Sequence, residues 1–288
     1  MDPTAQLAEA EATDLQRGLY ADVRETFRAP IVNSIWRTLS AHDPALTRYV
    51  WGQLKPAFET REFAAFSVAF RDRALSAAEP DRPRYDPADV DLEPAAFTEL
   101  RGQAATFDVV APRLAILFAL MDRRLNDRPV GTDAAGAAAT APFPSWLDRD
   151  RGRPPTMLPQ DESREALPDA LAGGFGEMVP SVYRCFAQWP GYLDRVVADL
   201  EPIIESDSFA TARADAVDLV GTYLDRLPYT PRVDPAGLAG VGIDDETVAD
   251  LRALFGTFRA GGEELMPLLH VYAATVGAAG ERDALSFP

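Results

Sequence analysis

A chain of 288 residues with 47% hydrophobic content can bury roughly 75% of the surface its unfolded form exposes, which suffices for one large core or two smaller ones. Its net charge of −17 would be repelled by a duplex phosphate backbone and by an anionic bilayer, which argues against nucleic acid and membrane as partners. The single cysteine, Cys185, excludes an intramolecular disulfide, and two histidines, His42 and His270, do not furnish a zinc site unless carboxylates complete it, so no metal is expected.

Helical periodicity runs through the chain. Leu15, Leu19, Val23 and Phe27 recur every four residues and predict an amphipathic helix that Pro30 ends or re-aims. A second helical stretch spans Ile31 to Ser40. Asp43 is the expected N-cap of a third helix, with Pro44 in its first turn, reaching about Phe58. A fourth runs from Phe63 to Leu75. The stretch from Glu79 to Pro94 carries Pro80, Pro83, Pro87 and Pro94 and reads as a loop. A long helix is expected from Phe97 to about Leu125. Residues 128–165, with the low-complexity run Asp133 to Thr140, read as an extended connection pinned by Phe143, Trp146 and Leu147. Helical patterns resume near Glu165. Long runs of period-two alternation are absent, so the expected class is all-α.

The chain repeats itself. Shifted by 146 residues, Ala41–Asp72 and Ala187–Asp218 agree at nine of 32 positions without a gap, including Pro44/Pro190, Pro56/Pro202 and Phe63/Phe209. Pro83-Arg84-Tyr85-Asp86-Pro87-Ala88 returns as Pro231-Arg232-Val233-Asp234-Pro235-Ala236, and Leu100-Arg101…Thr106-Phe107 returns as Leu251-Arg252…Thr257-Phe258. Chance matching of alanine-rich helices would not keep one order through three segments that include prolines. The expectation is two tandem helical repeats, 1–127 and 166–288, joined by 128–165 and packed as a pseudo-twofold pair. The groove between them is the expected ligand site.

Lys55 is the one lysine among 28 basic residues, and the 45 acids comprise 28 Asp and 17 Glu. A GC-rich genome explains the arginine but not the acid excess; a halophilic, salt-adapted cytoplasm explains both, because concentrated salt screens self-repulsion. The first residues are acidic without an apolar core, unlike a signal peptide, and the most apolar run, Leu114 to Met121, is short for a bilayer. The expected location is cytoplasmic.

Five segments, in order, carry a family resemblance: Tyr20 to Pro30, Arg128-Pro-Val-Gly131, Val179-Pro-Ser181 to Trp189-Pro190, Leu268-Leu-His270 and the terminal Ser286-Phe-Pro288. Together with the ungapped spacing from Pro112 to Arg128, they resemble the DehI-type, group I 2-haloacid dehalogenases over nearly the whole chain. That resemblance implies an all-α fold of two repeats and an active site between them. It also implies a carboxylate that activates water to displace halide from C2 of a 2-halo acid, with no cofactor. The position matching the water-activating aspartate is Val182, beside a retained Ser181. The position matching a water-holding asparagine is Ala111. Two aromatic pocket positions correspond to Ile31 and Ser34. Valine accepts no proton, and general-base catalysis supplies roughly 10²–10⁴-fold.

Asp108, about one helical turn before Ala111, is the candidate for a relocated base, against a reading as one more solvated acid; Glu177 is a weaker one. His270 reads as a core histidine and, by the resemblance, as a residue supporting the site from behind. Cys185 and the tryptophans read as core, His42 as solvated, Tyr20 and Tyr183 as core anchors or pocket hydroxyls. Gly173-Gly-Phe-Gly176 follows no strand and is no dinucleotide loop. Three functions follow: binding of a small, largely apolar organic molecule near Ile31, Ser34, Ala111, Ser181 and Val182; hydrolysis of the carbon–halide bond of a small carboxylic acid by a relocated carboxylate; or a structural, partner-binding role. A homodimer is compatible with all three.

Overall fold

The computed structural model describes residues 1–131, 141–172, 178–259, 262–283 and 285–287. The run Asp133 to Thr140, the glycine-rich stretch at 173–176, Glu177 and the final proline lie outside the described residues. Those described form helices, turns and loops, with no strand among them.

The first half holds α1 (Asp14–Phe27), α2 (Ser34–His42), α3 (Pro44–Leu54), α4 (Arg61–Ala78) and α5 (Pro94–Leu125), with single 3-10 turns at Lys55–Glu59 and Ala88–Val90. The second holds α6 (Gln160–Glu165), α7 (Asp169–Ala172), α8 (Ser181–Phe186), α9 (Pro190–Ile204), α10 (Asp207–Asp225), α11 (Pro235–Ala239), α12 (Asp245–Arg259) and α13 (Gly262–Thr275). Asp43 caps α3 as expected, its carboxylate accepting from the Ala45 and Leu46 amides at 2.9 Å. Pro56 tightens the end of that segment into a 3-10 turn, which is why α3 stops short of Phe58.

Thr60 and Ser206, separated by the 146-residue shift of the sequence repeat, cap α4 and α10 in the same way. Each accepts from the amide three residues on, Phe63 at 3.0 Å and Phe209 at 3.2 Å. The helices α4 and α10 pack on one another, and α5 packs on α13. Arg101 and Arg252, which occupy matching places in the repeat, reach in opposite directions. Arg101 donates to the Gly277 carbonyl beyond α13 (2.9 Å), and Arg252 to the Leu125 carbonyl at the end of α5 (2.6 Å).

Two apolar expectations are corrected. Leu15 is 66% exposed and Trp146 60% exposed, so the α1 stripe begins at Leu19 and only Phe143 and Leu147 anchor the connection. Two guanidinium groups lie over the Phe143 ring, Arg28 at 5.5 Å and Arg113 at 5.0 Å from its centroid. The 32-residue α5 is also long and apolar enough to cross a membrane, contrary to the reading from its shorter apolar run, but that surface is mostly buried among other helices. It is the core helix of the fold, carried past Pro112 without ending.

Candidate functional site

A cavity of about 780 Å³ opens between the N-termini of α2 and α8 and the middle of α5, with α9, α10, α12 and α13 closing its other sides. Pro180 precedes α8 with its fixed φ and starts the helix at Ser181; Asn33 precedes α2 and starts it at Ser34. These two serines, each the first residue of its helix, meet with hydroxyls 3.2 Å apart.

Below them the wall is hydrocarbon. One side of α5 contributes Phe107, Val110, Leu114 and Phe118, at spacings of three and four residues. Val182 of α8 and Leu268 and Leu269 of α13 complete it. Tyr183 and Tyr272 also line the cavity, hydroxyl to hydroxyl at 3.2 Å; burial raises both phenols, that of Tyr272 well above its ordinary range. The carboxylates on the lining, Glu201, Glu205 and Glu264, stand on exposed rim positions. Arg184 lines it too, half-buried, its guanidinium pKa lowered by burial and then by Arg37.

The sequence candidates divide. Ser34, Ser181 and Val182 come together on the cavity lining. Ile31 is half-buried before α2, off that lining, and Ala111 is fully buried in α5, facing elsewhere. Asp108 lies neither in the cavity nor on a solvated face, and both readings of it are corrected. It is fully buried, with its oxygens held by Arg71 Nε (3.0 and 3.1 Å), Arg151 Nη2 (2.8 Å), His270 Nδ1 (2.7 Å) and the Gly280 amide (3.2 Å). The reason is rotational. Each helical residue turns about 100° from the last, so Asp108 and Ala111 sit one step round α5 from the Phe107–Val110–Leu114 face.

Around Asp108 lies an ionic core. Asp148, from the connection, bonds Arg71 Nη2 at 3.0 Å and Arg151 Nη1 at 2.7 Å and approaches Arg113 Nη1 at 3.5 Å. Burial alone would raise the Asp108 carboxyl, but Arg71, His270 and Arg151 outweigh it and hold its pKa far below the usual carboxylate range. Asp148 is shifted the same way; burial opposes the shift, and Arg71 leads the groups that produce it. His270 is fully buried against Phe70, with its rings 5.6 Å apart and its pKa lowered by burial despite Asp108. With Nδ1 donating to Asp108, its Nε2 is a buried atom without a hydrogen-bond partner among the described residues. Burial likewise pulls the Arg113 guanidinium down to about 10.

Sequence reasoning missed the lining contributed by α9, α10 and Tyr272. The heptad-like run Leu265, Leu268, Leu269, Tyr272 was the available signal for α13. Cys185 is core, as read, with burial raising its thiol pKa. Tyr20 is an anchor, its hydroxyl donating to the Leu7 carbonyl at 3.2 Å.

Residues 30–168 match the family described as Halocarboxylic acid dehydrogenase DehI. The chain is 22% identical over 254 residues to an (R)-2-haloacid dehalogenase of Pseudomonas putida, covering 84% of this chain and 82% of that one. Among solved structures it is similar to a D-2-haloacid dehalogenase mutant in complex with D-2-CPA (TM-score 0.76, 19% identity, 94% of each chain). It is also similar to a D-2-haloacid dehalogenase in complex with L-LA (TM-score 0.74, 19% identity, 94% of this chain and 95% of that one). The all-helical architecture agrees with those likenesses, and the chain resembles the DehI, group I, 2-haloacid dehalogenases at low identity.

Proposed function

We propose that this chain binds a small, largely apolar organic molecule in the cavity between its two halves, with the family's water-activating acid replaced by Val182. One observation carries the reading: Val182 lines a cavity of about 780 Å³ whose α5 and α13 walls are largely hydrocarbon, its polar lining away from the acidic rim being four hydroxyls, the Asn33 amide and the half-buried Arg184 and Arg213. That volume lies within the usual range for small-molecule sites, roughly 300–1,000 Å³. An apolar wall favours an apolar ligand and gives a carboxylate or halide little to replace its hydration. The Ser34–Ser181 pair supplies one orienting contact for a hydroxyl or carbonyl of the ligand. The cavity's position supports two tandem repeats, 1–127 and 166–288, related by a pseudo-twofold axis passing near that serine pair. The matched caps at Thr60 and Ser206 and the reciprocal arginines 101 and 252 point the same way.

If the cavity turns over a substrate, the family chemistry is hydrolysis of a carbon–halide bond of a 2-halo acid. Asp108 would not be its base, since a carboxylate spent on two arginines and a histidine has little affinity for a proton.

The test is calorimetry with phenol and with alcohols of increasing chain length, beside a halide-release assay on 2-chloropropionate. The reading expects saturable binding that strengthens with chain length, is abolished by Val182→Phe, and occurs without halide release. Halide release that survives in the purified chain, or apolar ligands that fail to bind, would overturn it.

A further inference from the structure

A second cavity, of about 550 Å³, lies on the other side of α13, between the loop that follows α4 and the chain leaving α13. Four arginines line it: Arg82, Arg84, Arg101 and Arg282, against two acids, Glu79 and Asp86. In a chain of net charge −17 this is a local reversal of sign.

The arginines are not equivalent. Arg282 is spent on Asp72 (3.0 Å), Glu79 (2.9 Å) and Ser76 (2.8 Å). Arg101 is tied to the Gly277 carbonyl. Arg82 and Arg84 form no ion pair among the described residues, although acids outnumber bases 45 to 28. They flank Pro83 in the loop after α4, and both line the cavity. Arg82 Nε is buried with no hydrogen-bond partner, a cost that natural structures rarely leave standing. Its guanidinium pKa is lowered by burial first and by Arg84 next, the mark of two like charges held together. Behind them Leu75, Tyr85, Phe97 and Val276 make an apolar floor.

We propose that this arginine-lined cavity binds a compact multivalent oxyanion, a polyphosphate or a polycarboxylate, at a site separate from the apolar one. Guanidinium forks match the oxygen pairs of both chemistries. The anion would supply the partner that Arg82 and Arg84 lack and relieve their repulsion.

Pyrophosphate and citrate, titrated separately into the full chain at low salt by calorimetry and followed by thermal unfolding, decide the matter, with sodium chloride at matched ionic strength as control. The expected result is one saturable site for at least one of the two, with a raised melting temperature that chloride does not reproduce; which anion binds more tightly separates phosphate from carboxylate recognition. Arg84→Ala, on an exposed side chain, and Arg82→Ala, on a half-buried one, should each weaken binding about tenfold or more, as for loss of a charge-assisted bond. Val182→Phe, in the other cavity, should leave it unchanged, so failure here and failure of the apolar site read out separately. No saturable binding, equal stabilisation by chloride, or unchanged affinity in the arginine variants would overturn the proposal.

Discussion

At the residue scale, Asp108 shows what a buried charge is for. Its carboxylate and that of Asp148 are the fully buried acids among the described residues, and both are committed to arginines. Removing one member of such a network strands the others. Asp108→Asn should therefore cost about 3–5 kcal/mol of stability, seen as a lowered urea midpoint with the far-UV helical signal retained at low denaturant. A change below about 1 kcal/mol would mean the network is far weaker than its burial implies. The same groups set a pH dependence. His270 has a lowered pKa in the fold, so the unfolded chain binds its proton first, near pH 6.5 or about there. Stability from the neutral ring is thus complete above about pH 6.5 and lost progressively below it, as pH falls through the lower pKa of the folded ring. Asp108 and Asp148, also lowered, add stability that is present above about pH 4 and lost below it. His270→Gln should remove the upper step and leave the lower one. Urea midpoints of the variant and the parent, compared between about pH 7.5 and pH 3, would show it, and identical slopes through the upper range would refute the assignment.

At the element scale, most helices were legible because their apolar periods and caps are local. Asp43 before Pro44 gave α3, and the two matched segments gave α4 and α10 together. What local pattern could not supply was rotation. A stripe tells that α5 is buried but not which neighbour each side meets, because α5 is apolar nearly all round. Asp108 and Ala111 were thus placed on the cavity side when that side belongs to Phe107, Val110 and Leu114. The ionic core was illegible for a related reason: Arg71, Asp148 and Gly280 approach Asp108 from distant parts of the chain, and spacing carries no signal of it. Ser34 and Ser181, on the other hand, were found through the resemblance and do meet. The matched caps offer a test of how alike the two halves are. Ser206→Ala should cost about 1 kcal/mol, a normal N-cap loss. Thr60→Ala should cost more, because the Thr60 hydroxyl also bonds the buried Tyr223 hydroxyl at 2.8 Å. Equal urea midpoints for the two variants would show that the inter-half hydroxyl bond contributes nothing.

At the scale of the whole molecule, the charge excess and the ionic core respond to salt differently. Surface acids unmatched by bases repel one another over distances that salt screens, since the Debye length falls from about 10 Å at 0.1 M to about 3 Å at 1 M. Exposed pairs such as Arg226–Glu62 and Arg195–Asp199 weaken with them, but each is worth only about 0–1 kcal/mol. With 45 acids against 28 bases the repulsion should dominate, and the melting temperature should rise steadily from low salt to molar potassium chloride. Arg71, Asp108 and Asp148 are fully buried, beyond the reach of mobile ions. The penalty of Asp108→Asn should accordingly stay constant across the same salt series while the parent's stability climbs. A melting temperature that falls with chloride would rule out charge excess as the dominant long-range term. A penalty that shrinks in step with the salt would show that solvent reaches the core through the connection at Asp148, and the fold would then owe less to its buried ions than their enclosure suggests.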